Sequence, residues 1–309
     1  MNAALTAPTH LAPAAGSAAQ RGPCKALVGL IGSGIQRSLT PAMHEEEARC
    51  HGLRLHYQLI DLDRTGSGVQ ALPTLISAAR TMGFAGLNIT YPCKQAVIPL
   101  LDDLSEEARA MGAVNTVVCR DGKLVGHNTD GSGWSWGFSR TLPDADLAHV
   151  VLLGAGGAGS AIAHAVLRLG AKQLTVVDSD GPRAAALATS LNGIYGAGRV
   201  AGTTDVAAAL APATGLIHAT PTGMDKLPGL PLPEALLRPE LWVAEIVYFP
   251  LETALLRAAR ARGCATVHGG TMAVGQAIGA FELFTGLKAD PLRVEGHFRR
   301  MLAERNADA

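Results

Sequence analysis

The sequence predicts an α/β fold in two domains, a mixed strand-and-helix domain first and a domain on a doubly wound parallel sheet second. Three observations predict it. From residue 150 onward, short apolar runs alternate with helical segments, the rhythm of a parallel sheet covered on both faces. A glycine-rich turn, Gly154-Ala155-Gly156-Gly157-Ala158-Gly159, joins the first of those strands to the first of those helices. Before residue 130 the pattern is mixed, and Asp121-Gly122 between Val114–Cys119 and Lys123–Val125 marks a hairpin.

Taken in order, Lys25–Ile31 is an apolar run that reads as a buried strand, ended by Gly32-Ser33-Gly34. Proline is favourable at a first helical position, so a helix is expected over Pro41–Arg49 with Thr40 as its cap. Leu55, Tyr57 and Leu59 alternate as in a strand. Val69–Arg80 reads as a helix and Gly86–Thr90 as a strand. In the second half, Val150–Leu153 is a strand and Ala158–Leu169 a helix stopped by Gly170. Leu174–Val177 is a strand and Arg183–Ser190 a helix, followed by strands at Gly215–Ala219 and Trp242–Ile246. Thr253–Arg262 is a helix closed by Gly263, and helices over Ala273–Thr285 and Pro291–Glu304 finish the chain. The domain break falls near Asp130–Leu142. The expected division is a disordered tail at 1–23, one domain from 24–130 plus 266–309, and a second from 131–265.

Composition narrows the function. The 26 Lys and Arg balance the 26 Asp and Glu, so the net charge is zero. A nucleic acid or an anionic membrane would favour a basic excess, so neither is expected as a partner. Apolar residues make up 48% of the chain, enough to exclude gross disorder. The stretch Leu147–Leu167 carries no Lys, Arg, Asp or Glu, but its glycines fit a strand, turn and helix better than a membrane span. Cys24, Cys50, Cys93, Cys119 and Cys264 are odd in number and form no Cys-x-x-Cys. That pattern reads as free thiols in a reducing compartment, without a disulfide framework or a metal site. The N-terminal segment lacks a basic start and an apolar core, so no signal peptide is expected and the location reads as cytoplasmic.

The turn at Gly154–Gly159 fits G-x-G-x-x-G in its required context, after a strand and opening a helix. Such a turn lets backbone amides and a helix N-terminus approach a pyrophosphate. Asp178 ends the next strand, where a carboxylate would accept from a ribose 2′-hydroxyl and repel a 2′-phosphate. Arg183 is the nearest cation and no basic cluster follows, which favours NAD over NADP. As a plain structural role, Asp178 could cap a helix. Singly, Lys94 reads as solvated, Asn115 as a turn residue and Asp130 as a helix cap. His44, His127 and His268 have no partner in the sequence and read as structural, and Cys93 as a packed thiol.

Together these segments resemble the shikimate dehydrogenase family, and within it the NAD-linked quinate/shikimate dehydrogenase branch. The resemblance runs from Ala26 to Leu302. It rests on the joint order of Ser38-Leu39-Thr40-Pro41-Ala42-Met43-His44, Asn88–Lys94, Gly112–Asn115, Gly126–Asp130, Gly154–Gly159, Ala219–Met224 and Gly269–Gln276. It implies a Rossmann-type cofactor domain, a substrate domain completed by the last helices, and a deep cleft between them. It implies reversible hydride transfer between NAD and a ring hydroxyl of quinate or shikimate, in a monomer or homodimer. By resemblance, Ser38 and Thr40 hold the substrate carboxylate, and Thr90, Asn115 and Gln276 meet ring hydroxyls. Lys94 and Asp130 form the catalytic pair, and Tyr248 lines the pocket. The cofactor set is Gly154, Ala155, Gly156, Gly157, Ala158 and Gly159 of the turn, then Asp178 and Arg183, then Thr220, Pro221, Met224, Val247 and Gly270 along the adenine–nicotinamide path.

The chain departs from the biosynthetic pattern in three places. Val177-Asp178-Ser179-Asp180 stands where NADP-linked members carry Asn-Arg-Ser/Thr, Ser38-Leu39-Thr40 stands where many carry Ser-x-Ser, and Tyr248-Phe249-Pro250-Leu251-Glu252-Thr253 resembles the quinate-using branch where many biosynthetic members have an Asn before the Pro. Asp130 beside Lys94 favours the charged ammonium, so the carboxylate does not turn the lysine into a free base. The lysine instead polarises a carbonyl and shuttles a proton within the pair. The alternatives are a biosynthetic NADP-dependent shikimate dehydrogenase and a non-catalytic NAD- or metabolite-sensing module.

Overall fold

The computed structural model describes residues 25–307; the tail expected at 1–23 lies outside them. The first half contains β1 (Lys25–Gly32), α1 (Thr40–Cys50), β2 (Arg54–Asp61), α2 (Leu62–Thr65), α3 (Leu72–Thr81), β3 (Gly86–Ile89), α4 (Cys93–Ala96), β4 (Asp103–Leu104), α5 (Glu106–Met111), β5 (Thr116–Arg120) and β6 (Lys123–His127). Next come α6 (Asp130–Thr141), β7 (His149–Leu153), α7 (Gly157–Arg168), β8 (Gln173–Val177), α8 (Gly181–Tyr195), β9 (Val200–Thr203) and α9 (Val206–Leu210). The chain ends through β10 (Gly215–His218), β11 (Trp242–Glu245), α10 (Ala254–Ala261), β12 (Ala265–Val267), α11 (Gly270–Thr285) and α12 (Pro291–Ala307).

Two six-stranded sheets result. The first has the order β2-β1-β3-β5-β6-β4. Its β1 runs parallel to β2 and β3, while β5 is antiparallel to both β3 and β6, the hairpin that Asp121-Gly122 predicts. Asp121 and Gly122 both take positive φ there, at 50° and 75°. The second sheet, β12-β11-β10-β7-β8-β9, is parallel throughout. Its order reverses between β7 and β10, and the crevice at such a reversal is where open α/β sheets bind ligands. Burial on both faces makes its strands continuous apolar runs: Val150, Val151, Leu152, Leu216, Ile217, Val243 and Ala244 are fully enclosed.

Several local expectations need correction. Thr40 is the first residue of α1 and not its cap; Leu39 holds the cap position and makes no side-chain cap bond. Residues 130–141, near which the domain break is expected, form the helix α6, which carries the chain from one sheet to the other. Its first turn belongs to the cleft, and its glycines 131, 133 and 137 hid a helical pattern that packing stabilises. Helix α7 opens at Gly157, one residue earlier than expected, and β12 pairs with β11 through Val267, two residues past 265. Helix α11 covers the first sheet: Ala280 and Phe284 pack with Val28, Leu30, Tyr57 and Val118. Helix α12 joins the same lobe through Val294, Phe298 and Leu302 against Met43 and Ala48.

Candidate active site

A cavity of about 540 Å³ opens between the two sheets. Its walls include Ser38, Thr40, Thr90, Lys94, Asn115, Asp130, Tyr248 and Gln276 from the expected substrate set, and Ala158, Thr220, Pro221, Met224 and Val247 from the expected cofactor set. The rest of the expected cofactor set, Gly154–Gly157, Gly159, Asp178, Arg183 and Gly270, lies outside this lining. An added Cβ on Gly270 would sit 2.8 Å from the Phe298 ring, so packing also favours glycine there, and its neighbour Gly269 lines the wall.

Asp130 lies at the start of α6, where the free amides of a first turn favour a carboxylate. Its Oδ2 is 2.6 Å from Lys94 Nζ; Asp130 is 2% exposed and Lys94 25%. Asp130 Oδ1 accepts from Asn115 Nδ2 at 2.8 Å and from Gln276 Nε2 at 2.5 Å. Three side-chain donors on one buried carboxylate match its ionised, acceptor-only form. The Asn115 amide is fully used: Nδ2 also donates to Thr129 Oγ1 at 3.0 Å, while Oδ1 accepts from the Thr129 amide at 2.8 Å and the Thr116 hydroxyl at 2.9 Å. Behind it, the Tyr57 hydroxyl donates to Asn88 Oδ1 at 2.7 Å, and Asn88 Nδ2 donates to Thr116 Oγ1 at 3.1 Å. Asn128 Oδ1 accepts from the Asp130 amide at 2.9 Å. Asn88, Asn128 and Thr129 take a supporting part that no local pattern in the sequence signals.

The Ser38–Thr40 loop forms the opposite wall, with Ser38 Oγ accepting from the Thr40 amide at 3.3 Å. Gly32 makes room for Thr90: a Cβ on Gly32 would stand 2.3 Å from Thr90 Cγ2. Tyr248 is partly buried, and desolvation pushes its phenol above the ordinary value, with Arg305 opposing. Of His44, His127 and His268, only His44 lines the cavity. Its Nδ1 lies 3.0 Å from the Thr40 carbonyl, and Nε2 is buried without a partner among aromatic rings.

Burial lowers His44 to about 4, against the bond to Thr40. The unfolded chain therefore binds more protons at this site between pH 6.5 and 4. Stability fully present above that window is lost as the pH falls through it, by ~3 kcal/mol from this group. His44→Leu should flatten the decline of Tm over that range. An unchanged slope would assign the acid sensitivity to other groups.

On the second sheet, the turn after β7 combines packed and open glycines. A Cβ on Gly159 would stand 2.0 Å from the Gly154 carbonyl oxygen, and Gly154 holds φ +101° with the Ala219 carbonyl beside it. Gly156 and Gly157 are exposed, and an added Cβ at either meets nothing within 4 Å. The protein itself does not need glycine at those two positions; the bare backbone there leaves a cradle with amides at the start of α7 that fits a pyrophosphate. Asp178 Oδ2 accepts from the Ala155 amide at 2.8 Å, and Oδ1 from the Asp180 amide at 2.9 Å. Arg183 lies 3.3 Å from Asp178 and 3.4 Å from Asp180. Burial opposes ionisation of Asp178, but the two amides and Arg183 outweigh it and hold the carboxyl below its ordinary value. The helix-capping role falls to Asp180, which accepts from the Arg183 amide. Among the described residues, no group of three or more His, Cys, Asp or Glu is placed to hold a metal, and no helix is long and apolar enough to cross a membrane.

The chain is similar to known proteins in sequence and in fold. The description of the shikimate dehydrogenase substrate binding domain matches residues 30–117. A shikimate dehydrogenase (NADP(+)) of Streptomyces avermitilis is 60% identical over 270 residues, which span 87% of this chain and 93% of that protein. A quinate/shikimate dehydrogenase (NAD(+)) of Corynebacterium efficiens is 47% identical over 275 residues, spanning 88% of this chain and 97% of that one. The solved quinate dehydrogenase from Corynebacterium glutamicum in complex with NAD matches with a TM-score of 0.85 at 46% identity, covering 89% of this chain and 99% of that one. Fold, crevice and relatives together define an oxidoreductase that acts on CH–OH groups with a pyridine nucleotide. Within that class, the chain belongs to the shikimate dehydrogenase family.

Proposed function

We propose that this protein is a quinate/shikimate dehydrogenase, oxidising a ring hydroxyl reversibly to 3-dehydroquinate or 3-dehydroshikimate with NAD. The observation that carries the reading is the Lys94–Asp130 pair on a cavity that also meets the glycine-rich turn side of the second sheet. Among the described residues, the substrate domain comprises 25–130 and 268–307 and the cofactor domain 131–267, since β12 pairs with β11 through Val267; the protein works in the cytoplasm as a monomer or homodimer.

The nicotinamide supplies the hydride chemistry when bound. Ser38 and Thr40 offer hydroxyls to the substrate carboxylate. Thr90 and Gln276 face the ring hydroxyls; Gln276 keeps one amide hydrogen and its carbonyl oxygen free of other partners among the described residues. Asn115 reaches a ring hydroxyl only by exchanging one of its existing bonds, so its main part is to hold Asp130. Lys94 spends one of its three hydrogens on Asp130 and has two for the reacting oxygen. In the reducing direction it gives one of these protons to that oxygen and is left as the amine; in the oxidising direction the neutral amine, its extra proton already passed to solvent, takes up the leaving proton.

Asp178 supports NAD. Two carboxylates and one guanidinium at the end of β8 leave one net negative charge where a 2′-phosphate would lie. The NADP-dependent shikimate dehydrogenase reading is favoured by the relative at 60% identity. Initial rates with quinate or shikimate, each with NAD or NADP, separate the two. Asp178→Asn, which keeps an acceptor for the Ala155 amide, should raise the NADP-to-NAD ratio of kcat/KM by about 10-fold, the effect of removing one partly screened charge. An unchanged ratio would remove Asp178 as the selector. Shikimate activity confined to NADP would establish the second reading, and tight NAD binding without turnover in any combination would establish the sensing module.

A further inference from the structure

His218 and Glu245 are the last residues of β10 and β11, paired in register and both 0% exposed. Nδ1 of His218 lies 2.9 and 3.0 Å from the two carboxylate oxygens of Glu245. Nε2 lies 2.5 Å from Thr220 Oγ1. Glu245 Oε1 also accepts from the Val247 amide at 3.0 Å, and Oε2 from the Thr253 hydroxyl at 3.1 Å. Thr253 in turn caps α10 by accepting from the Leu256 amide. The carboxylate only accepts, so Nδ1 carries the hydrogen toward it, while Nε2 shares a hydrogen bond with the Thr220 hydroxyl.

One buried carboxylate thus holds two loops. Through His218 it fixes Thr220 in the loop after β10; through the Val247 amide it fixes the loop after β11. Thr220, Pro221 and Met224 of the first loop and Val247 and Tyr248 of the second all line the cavity. Thr220 is held from the other side as well: its Cγ2 would lie 3.0 Å from a Cβ built on Gly154, so its methyl abuts the glycine-rich turn. A buried charge of this kind is costly unless every lone pair and proton is used. Here three donors converge on Glu245, and both ring nitrogens of His218 are engaged.

We propose that Thr220–His218–Glu245 is a positioning unit that sets the spacing of the two loops walling the nicotinamide half of the cofactor site. The proposal rests on the dehydrogenase reading, since it requires a nucleotide in the crevice between β7 and β10. The adenine half, at Asp178, lies outside the unit, so only the nicotinamide end of the dinucleotide should feel its loss.

The test compares binding of NADH (or NADPH, whichever the wild type binds tighter) with binding of ADP-ribose, which lacks the nicotinamide, alongside kinetics and Tm. His218→Asn keeps a donor for Glu245 but no longer reaches Thr220. Thr220→Val removes the hydroxyl at a partly exposed position and leaves the buried pair intact, so it stays informative if the first variant folds poorly. Each is expected to weaken reduced-cofactor binding about 10-fold, the scale of one lost buried hydrogen bond. ADP-ribose affinity and the KM for the ring acid should stay within about 2-fold, and the double variant should be no worse than either single change. Lowered Tm with unchanged reduced-cofactor binding would overturn the proposal and make the pair merely structural. So would equal weakening of ADP-ribose, or additive losses in the double variant. A wild-type protein that binds neither NADH nor NADPH would instead overturn the dehydrogenase reading, and this proposal with it.

Discussion

Lys94→Ala is expected to lower kcat by about 10³-fold while changing both KM values only a few-fold, the range lost when a positioned acid–base group is removed. The reason lies in the geometry around Asp130. Its carboxylate accepts from Lys94, Asn115 and Gln276, so it is held in place and serves to orient the ammonium. Charge changes at the reacting oxygen during hydride transfer, and Lys94 alone in this cluster carries spare hydrogens on a cation. An interaction needed mainly in the transition state appears in kcat and not in ground-state binding. Steady-state kinetics with both substrates varied would check this. Near-normal turnover would take Lys94 out of the mechanism.

Gly275→Ala is expected to cost about 2–3 kcal/mol, lowering Tm by roughly 5 °C or more, from overpacking at a crossing of two helices. A Cβ on Gly275 would sit 2.4 Å from the Gly133 carbonyl oxygen, and one on Gly133 would sit 2.6 Å from the Gln276 amide nitrogen. These are backbone contacts, so no side chain can rotate away. Helix α6 starts at Asp130 and α11 carries Gln276, and the two residues meet across this crossing. Pushing the helices apart should therefore also lower kcat, by about 10-fold. Thermal unfolding and kinetics on one preparation would separate the two effects; a Tm within 1 °C of wild type would show that the crossing yields without cost.

Much of the fold was legible because its signals are local. Apolar runs at Val150–Leu153, Leu174–Val177 and Trp242–Ile246 read as strands from burial on both faces. The turn at Asp121-Gly122 read as a hairpin because it takes positive φ where glycine is favoured. Helix α6 was not legible, since Gly131, Gly133 and Gly137 are poor helix formers and only packing against α11 and α7 explains them. Thr40 was misplaced as a cap because caps depend on backbone angles at single residues, which Thr-Pro alone does not set.

The site divides the same way. The sequence by itself determined the order of motifs, the glycine-rich turn and its acidic follower, and the residue types that can carry proton transfer. Each is a pattern within a few neighbours along the chain, governed by the backbone freedom and side-chain chemistry of those residues. Only the tertiary structure decided that Asn115 is spent on holding Asp130, that Gly269 and not Gly270 lines the cavity, and that His218 and Glu245 stand behind its wall. Asp130 and Gln276 are 146 residues apart and His218 and Glu245 are 27 apart. Whether such atoms come within 3 Å is set by sheet register and helix crossing, because hydrogen bonds act only at contact distance and leave no period in the sequence.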